Sequence, residues 1–215
     1  LESLDRSRIT PELFSTGRSR DATTARFEAL APMHACRGRR ASEVASEIRH
    51  RGVDVLVDLS GYTMDHGLQV FALRPAPVQL SAIGYPASTG LRGIDARIAD
   101  SITDPPEQDP SDRVLRLDPC FLCYQAPKDA PEPRFGDPAR PPMFGSFNAI
   151  QKLNPALLSL WAELLRSVPE SRLTLKADLR LTAVLSRIRG TFERAGIEPD
   201  RLSFFSNTRT PQEAR

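Results

Sequence analysis

Three short stretches of this sequence hold residues whose types and spacing could do chemistry. Lys152 follows a short apolar run, Met143 to Phe147, and stands two residues before the helix-start pair Asn154 and Pro155. A cation at such a strand-to-helix junction can meet a phosphate that also sees the positive end of the helix dipole. The other two stretches are GYT, residues 61 to 63, and GYPASTG, residues 84 to 90. Each follows an apolar β-type run. Ligands of open α/β sheets bind in the crevice outside the carboxyl ends of the strands, and that rule selects these two loops together with SFNAIQK, residues 146 to 152. In GYPASTG the glycines permit close backbone approach, and Tyr85 with Pro86 offers a flat apolar wall. Only three of the 29 cations are lysine: Lys128, Lys152 and Lys176. Each therefore marks a position where the forked guanidinium has not taken the place of a compact ammonium, and Lys152 and Lys176 both fall at strand ends.

Other chemistries find less support. Cys120 and Cys123 form one C-x-x-C, but a zinc site needs a second ligand pair, and His34, His50 and His66 lack the spacing to supply it. His34 and His66 stand isolated, as surface or satisfied core histidines do. Arg74, in the rigid turn RPAP, has a structural job with an anion contact as the alternative. The run Arg37, Gly38, Arg39, Arg40 reads as a solvated loop. Neither G-x-x-x-x-G-K-[ST], G-x-G-x-x-G nor G-x-S-x-G occurs, so the Walker, dinucleotide and α/β-hydrolase signatures are absent.

The elements that must position these loops alternate in type. In the first half, Ile9 to Phe14 reads as a weak strand and Ala22 to Leu30 as a helix. Ala41 to Arg51 is an amphipathic helix with Val44, Ala45 and Ile48 inward, closed by Gly52. VDVLVDL, residues 53 to 59, has the β-branched continuity of a parallel strand buried on both faces. Val78 to Ile83 and Ala96 to Ala99 are further strands. Six prolines between residues 127 and 142 exclude helix and central strand, so residues 126 to 142 read as a linker between residues 1–125 and 143–215. Beyond it come a strand at Met143 to Phe147 and a helix capped by Asn154, with Leu157, Leu158, Trp161, Leu164, Leu165 and Val168 in its apolar stripe and Pro169 at its end. A strand at Arg172 to Lys176, a helix at Leu181 to Ala195 and a strand at Leu202 to Phe205 follow. This is β-α-β-α-β, which wants a parallel sheet. Thr210, Pro211 and Glu213 make a helix start two residues before the last residue, so the sequence reads as cut within a domain, and both lobes as incomplete.

Composition bounds the function. At 215 residues, 40% hydrophobic and 26% charged, the chain can bury a core. A net charge of +2, with 29 cations and 27 anions dispersed along the chain, gives no clustered basic face for nucleic acid. No apolar run reaches membrane-span length and no secretion signal opens the sequence, so no membrane partner is expected. Three cysteines suit a reducing cytosol.

The strings DVLVDLSGYT, FALRPAPVQLSAIGYPASTG, IADSITDPP and FGSFNAIQKLNPALLSLWAELLRSVPESRLTLKA, in that order and spacing, resemble the catalytic region of the protein O-linked N-acetylglucosamine transferase family. The resemblance implies an α/β fold of GT-B type, two Rossmann-like lobes facing a cleft, with tetratricopeptide repeats on the amino-terminal side. It implies transfer of N-acetylglucosamine from UDP-N-acetylglucosamine to Ser or Thr hydroxyls of a protein acceptor, with inversion and without a metal or other cofactor. Carried over by position, Lys152 neutralises the departing diphosphate. Ile83, Gly84 and Pro86 lie around sugar and acceptor, and Tyr62 is the tyrosine of the GYT loop. Apart from the resemblance, Asn148 on the SFNAIQK loop and Lys176 at its strand end are further candidates for donor or acceptor binding. Ala149 stands where animal members have glutamine, and Gly67 where arginine usually follows GYT. The family's H-P-T histidine and its uridine-binding segment would lie outside residues 1–215. The base-recognition segment being outside, a Spindly-type transfer of fucose from GDP-fucose stays open. So do N-glycosyl transfer and a non-catalytic scaffold of the same fold.

Overall fold

The computed structural model describes residues 1–18, 20–105, 113–124, 126, 130, 132, 136–137 and 140–206. Several residues of the expected linker, and the expected helix start at Thr210 to Glu213, lie outside them. The chain divides into two compact units, Leu1–Gln125 and Ala126–Arg215.

The first unit opens with β1 (Leu13–Ser15), α1 (Ala22–Leu30), β2 (Met33–Ala35) and α2 (Ala41–His50). It continues with β3 (Val55–Asp58), α3 (Leu68–Ala72), β4 (Val78–Ser81), β5 (Ala96–Ala99) and β6 (Val114–Arg116). β1 and β2 pair in parallel, and β3-β4-β5-β6 form a parallel four-stranded sheet in that order. Asp21 caps α1 by accepting the Thr24 amide at 2.8 Å, satisfying one of the donors that every helix start leaves over. α2 buries Val44, Ala45 and Ile48, as its pattern requires, against Leu56, Val70, Phe71 and Cys36. Burial holds the Cys36 thiol above its ordinary pKa.

The two faces of the four-stranded sheet differ from expectation. One face carries Leu56, Asp58, Gln79, Ser81, Arg97 and Ala99, all buried although four are polar. Gln79 donates its amide to the carbonyls of Phe71 and Gly93 at 2.9 and 2.5 Å, and Arg97 pairs with buried Asp104. The other face carries Val55, Val57, Val78 and Leu115, and it is the more open one. Val55 is 50% exposed and Val57 40%, so β3 is covered on one face rather than two.

His34 is not isolated. Its Nε2 lies 3.0 Å from Glu12 and its Nδ1 3.6 Å from Glu47. Arg39 and Arg51 pair with Glu47 from the other side, holding its carboxyl below the usual range, Arg39 foremost. The network joins the β1–β2 pair to α2, and Arg39 belongs to it rather than to a solvated loop.

In the second unit β7 (Met143–Ser146), α4 (Pro155–Ser167), β8 (Arg172–Lys176), α5 (Thr182–Arg194) and β9 (Leu202–Phe205) alternate as the pattern requires. The strands form a parallel sheet in the order β7-β8-β9. Leu173, Leu175 and Leu202 point into a core shared with Leu158, Ala162 and Leu165 of α4 and Ile188 and Phe192 of α5. Gly196, at φ +76°, ends α5 in the left-handed conformation that glycine adopts without strain. Arg201 reaches back to the end of α4, donating to the carbonyls of Leu165 at 2.6 Å, Val168 at 3.1 Å and Ser171 at 2.8 Å. Among the described residues no helix is long and apolar enough to cross a membrane.

Candidate active site

In the first unit the site is built on the carboxyl ends of β3 and β4. Asp58, the last residue of β3, is 4% exposed and accepts the amides of Ser60 at 3.1 Å and Gly61 at 2.8 Å. A buried carboxylate that accepts successive backbone amides fixes a tight turn. The turn places Gly61 at φ +54°, where an added Cβ would lie 2.0 Å from the Cβ of Tyr85. Gly84 is equally constrained: its Cβ would sit 2.0 Å from the Leu59 carbonyl oxygen. The GYT and GYPASTG loops are thus in backbone contact, and glycine is required by the approach itself.

The predicted residues of this unit come together around that contact. Tyr62 donates its hydroxyl to the Thr89 carbonyl at 2.8 Å, and its ring stands edge-on to Tyr85 at 5.6 Å and to His66 at 5.7 Å. Its hydroxyl is therefore committed within the protein and holds the far end of the GYPASTG loop. Ile83 adopts φ +52°, a left-handed conformation costly for a β-branched residue, and its side chain is 47% exposed. Pro86 is exposed, and its carbonyl accepts from Arg97 at 3.3 Å. A cavity of about 410 Å³ lies against the loop, lined by Ser81, Thr89, Gly90, Arg97 and Arg113 among others. Further along the same sheet edge, buried Asp100 accepts the amides of Ile102, Thr103 and Phe121 at 3.0, 2.7 and 3.0 Å. These bonds, Thr103 first and Phe121 next, hold its carboxyl below the ordinary value. Arg74 is bound at 2.9 and 3.1 Å to Asp95, at 3.2 Å to the Gly93 carbonyl and at 3.1 Å to the Pro77 carbonyl, so its role is structural.

In the second unit Lys152 closes a short 3-10 turn, Ile150–Lys152, between β7 and α4. Its side chain is exposed and, among the described residues, forms no ion pair or hydrogen bond. Asn154 caps α4 by accepting the Leu157 amide at 2.9 Å, and Pro155 occupies the first turn. Pro155 has no amide hydrogen and the cap takes that of Leu157, and Lys152 stands two residues before the cap. Asn148 is exposed on the same loop, and its backbone amide faces the Ser146 hydroxyl at 3.4 Å. Lys176 ends β8, half-buried, with its Nζ 5.7 Å from the ring centroid of Phe147. Asn148, Lys152 and Lys176 thus share the carboxyl edge of one sheet, as Tyr62, Ile83, Gly84 and Pro86 do in the other.

Sequence reasoning did not find Asp58, Thr89, Arg97, Asp100 or Phe147. Asp58 had a usable signal, an aspartate at a strand end before Ser-Gly, the composition of a side-chain-capped turn. Thr89 had none, because its contribution is a main-chain carbonyl 27 residues from Tyr62. Among the described residues no group of three His, Cys, Asp or Glu side chains could hold a metal ion, and Cys36, Cys120 and Cys123 are free thiols.

Comparison with known proteins bears on these loops directly. The model of glycosyl transferase family 41 matches residues 19–113. The probable UDP-N-acetylglucosamine–peptide N-acetylglucosaminyltransferase SPINDLY of Arabidopsis thaliana is 39% identical over 170 residues, covering 74% of this chain and 18% of its own. The SEC protein of the same plant, which carries the same enzyme name, is 29% identical over 174 residues, 75% of this chain and 18% of its own. A mutant form of the O-GlcNAc transferase of Thermobaculum terrenum superposes with a TM-score of 0.88 at 32% identity, covering 98% of this chain and 41% of that one. The chain thus spans about a fifth of the length of the curated relatives it matches. Its parallel sheets are those of the O-GlcNAc transferase fold, here with both Rossmann-like lobes in part. Loops, fold and likeness of sequence meet in one attribution: this chain carries the sequence and fold of glycosyltransferase family 41.

Proposed function

We propose that the protein to which this chain belongs transfers N-acetylglucosamine from UDP-N-acetylglucosamine to Ser or Thr hydroxyls of a protein acceptor, inverting the anomeric centre. The observation that carries the reading is Lys152, an uncommitted ammonium at the junction of β7 and the start of α4. Glycosyl transfer from a nucleotide sugar builds negative charge on the departing diphosphate. A cation that meets the diphosphate as it departs stabilises that charge more in the transition state than in the ground state, which is what raises the rate. The reading asks for no resident metal or cofactor, since Lys152 supplies the charge. Asn148 and Lys176 serve the donor side, while Ile83, Gly84 and Pro86 form the wall against sugar and acceptor. Tyr62 shapes that wall by holding Thr89. The partners are a nucleotide sugar and a protein, not nucleic acid or membrane, and the free thiols fit a reducing cytosol. The names of the SPINDLY, SEC and Thermobaculum proteins support the donor and the chemistry.

In the full-length protein, Lys152→Ala should lower turnover by about a hundred- to thousandfold, the loss typical for one donor to a developing negative charge. The fold should stay intact by circular dichroism. Turnover within about threefold of wild type rejects the role of Lys152. Hydrolysis assays with UDP-N-acetylglucosamine and GDP-fucose in parallel separate the two donor readings. Ala149, a methyl group in place of a polar side chain on the donor loop, favours a scaffold without chemistry, and hydrolysis of neither donor would uphold that alternative.

A further inference from the structure

We infer that Phe147, with Phe205 and Lys176 beside it, is a stacking platform for the base of a nucleoside diphosphate. The inference rests on the donor-site reading of Lys152 and adds a subsite to it. In the sheet of the second unit, Leu173, Leu175 and Leu202 face the core. Alternation along the strands therefore sends Arg172, Thr174, Lys176, Ser203 and Phe205 to the opposite face. That face is largely polar, and Thr174 and Ser203 join their hydroxyls across it at 2.8 Å. Two aromatic rings break the pattern at its carboxyl edge. Phe147, on the loop that also bears Lys152, is 74% exposed, and its ring meets Phe205 edge-on at 5.4 Å. Lys176, paired in register with Phe205, holds its ammonium 5.7 Å from the centre of the Phe147 ring.

A single exposed phenylalanine is unremarkable on a protein surface. This one is steadied by a second ring and a cation, and it shares its loop with the candidate diphosphate lysine. A π-face presented beside a phosphate-seeking ammonium is what a nucleotide requires and a bare phosphate does not. Stacking on such a face tolerates every base, so the platform contributes affinity for UDP and GDP alike, and discrimination between them belongs to other residues.

Calorimetric titration of the full-length protein with UDP, GDP and inorganic pyrophosphate tests this. Phe147→Ala should weaken UDP and GDP by about five- to 150-fold, the range for removal of one base-stacking side chain. It should leave pyrophosphate unchanged, whereas Lys152→Ala weakens all three. Phe147→Trp should restore nucleotide affinity, and UDP should quench its emission beyond any change seen with the wild-type protein while pyrophosphate does not. This keeps the test decisive even if the alanine variant folds poorly. Equal binding of UDP by wild type and Phe147→Ala overturns the platform and leaves the donor reading standing. Parallel loss of pyrophosphate with UDP in Phe147→Ala also overturns it. Binding of neither UDP nor pyrophosphate by wild type overturns the donor reading and the platform together.

Discussion

Glycine 84 and Tyr62 act on the same loop by opposite means, one by having no side chain and the other through the tip of a long one. A Cβ at residue 84 meets main-chain oxygen, which cannot rotate away, so Gly84→Ala should destabilise the first unit by about 1 to 3 kcal/mol, read by urea denaturation. Tyr62→Phe removes only the bond to Thr89 and should cost about 0.5 to 1.5 kcal/mol. If Tyr62→Phe also lowers turnover without changing donor affinity, its effect passes through the position of the loop. Asp100 gives a pH-dependent counterpart. Its folded pKa is depressed below the ordinary 3.8, as are those of Asp95 and of Asp178, the last to about 2. For a depressed carboxyl the stabilisation is complete above the unfolded value, and it is lost as pH falls through the folded value. Thermal midpoints should therefore decline from about pH 4 downward. Asp100→Asn should lower the midpoint at pH 6 and flatten the acid slope, and an unchanged slope would show that Asp100 carries none of it.

Helices and strands of the second unit were legible almost to the residue. Asn154-Pro155 is a start signal with one conformational meaning, and Arg172–Lys176 and Leu202–Phe205 are bounded by turn residues on both sides. β2, α3 and β6 were not legible. At three, five and three residues they are too short for periodicity to develop, and pairing with neighbours far along the chain creates them. Site legibility followed a similar division. Lys152 stood out by type and place, whereas Asp58 and Arg97 work from the buried face of a sheet whose polarity ran against the expected apolar one. Element boundaries carry their own energetics. Asn154→Ala should cost about 1 kcal/mol through loss of the Leu157 cap. Arg201→Ala should cost more, about 1.5 to 3 kcal/mol, because a charged donor leaves the carbonyls that end α4. Denaturant titration of the two variants in parallel checks the order, and a smaller loss for Arg201→Ala would contradict it.

At the scale of the whole chain, the more open apolar face of the four-stranded sheet should favour self-association. Val55, Val57 and Val78 stand 40% to 50% exposed, and contiguous apolar surface promotes self-association. Val57→Thr keeps a β-branched side chain, so stability should stay within about 0.5 kcal/mol while binding of the dye ANS and light scattering fall. Undiminished dye binding would place the sticky surface elsewhere. All the described sheets are parallel, and this arrangement has a practical corollary for anyone who labels the protein. Parallel strands gather every outgoing loop on one rim and leave the opposite rim to incoming turns, such as those at Gly52 before β3 and Glu170 before β8. Those turns are where a fluorophore or affinity tag can be attached without crowding the ligand.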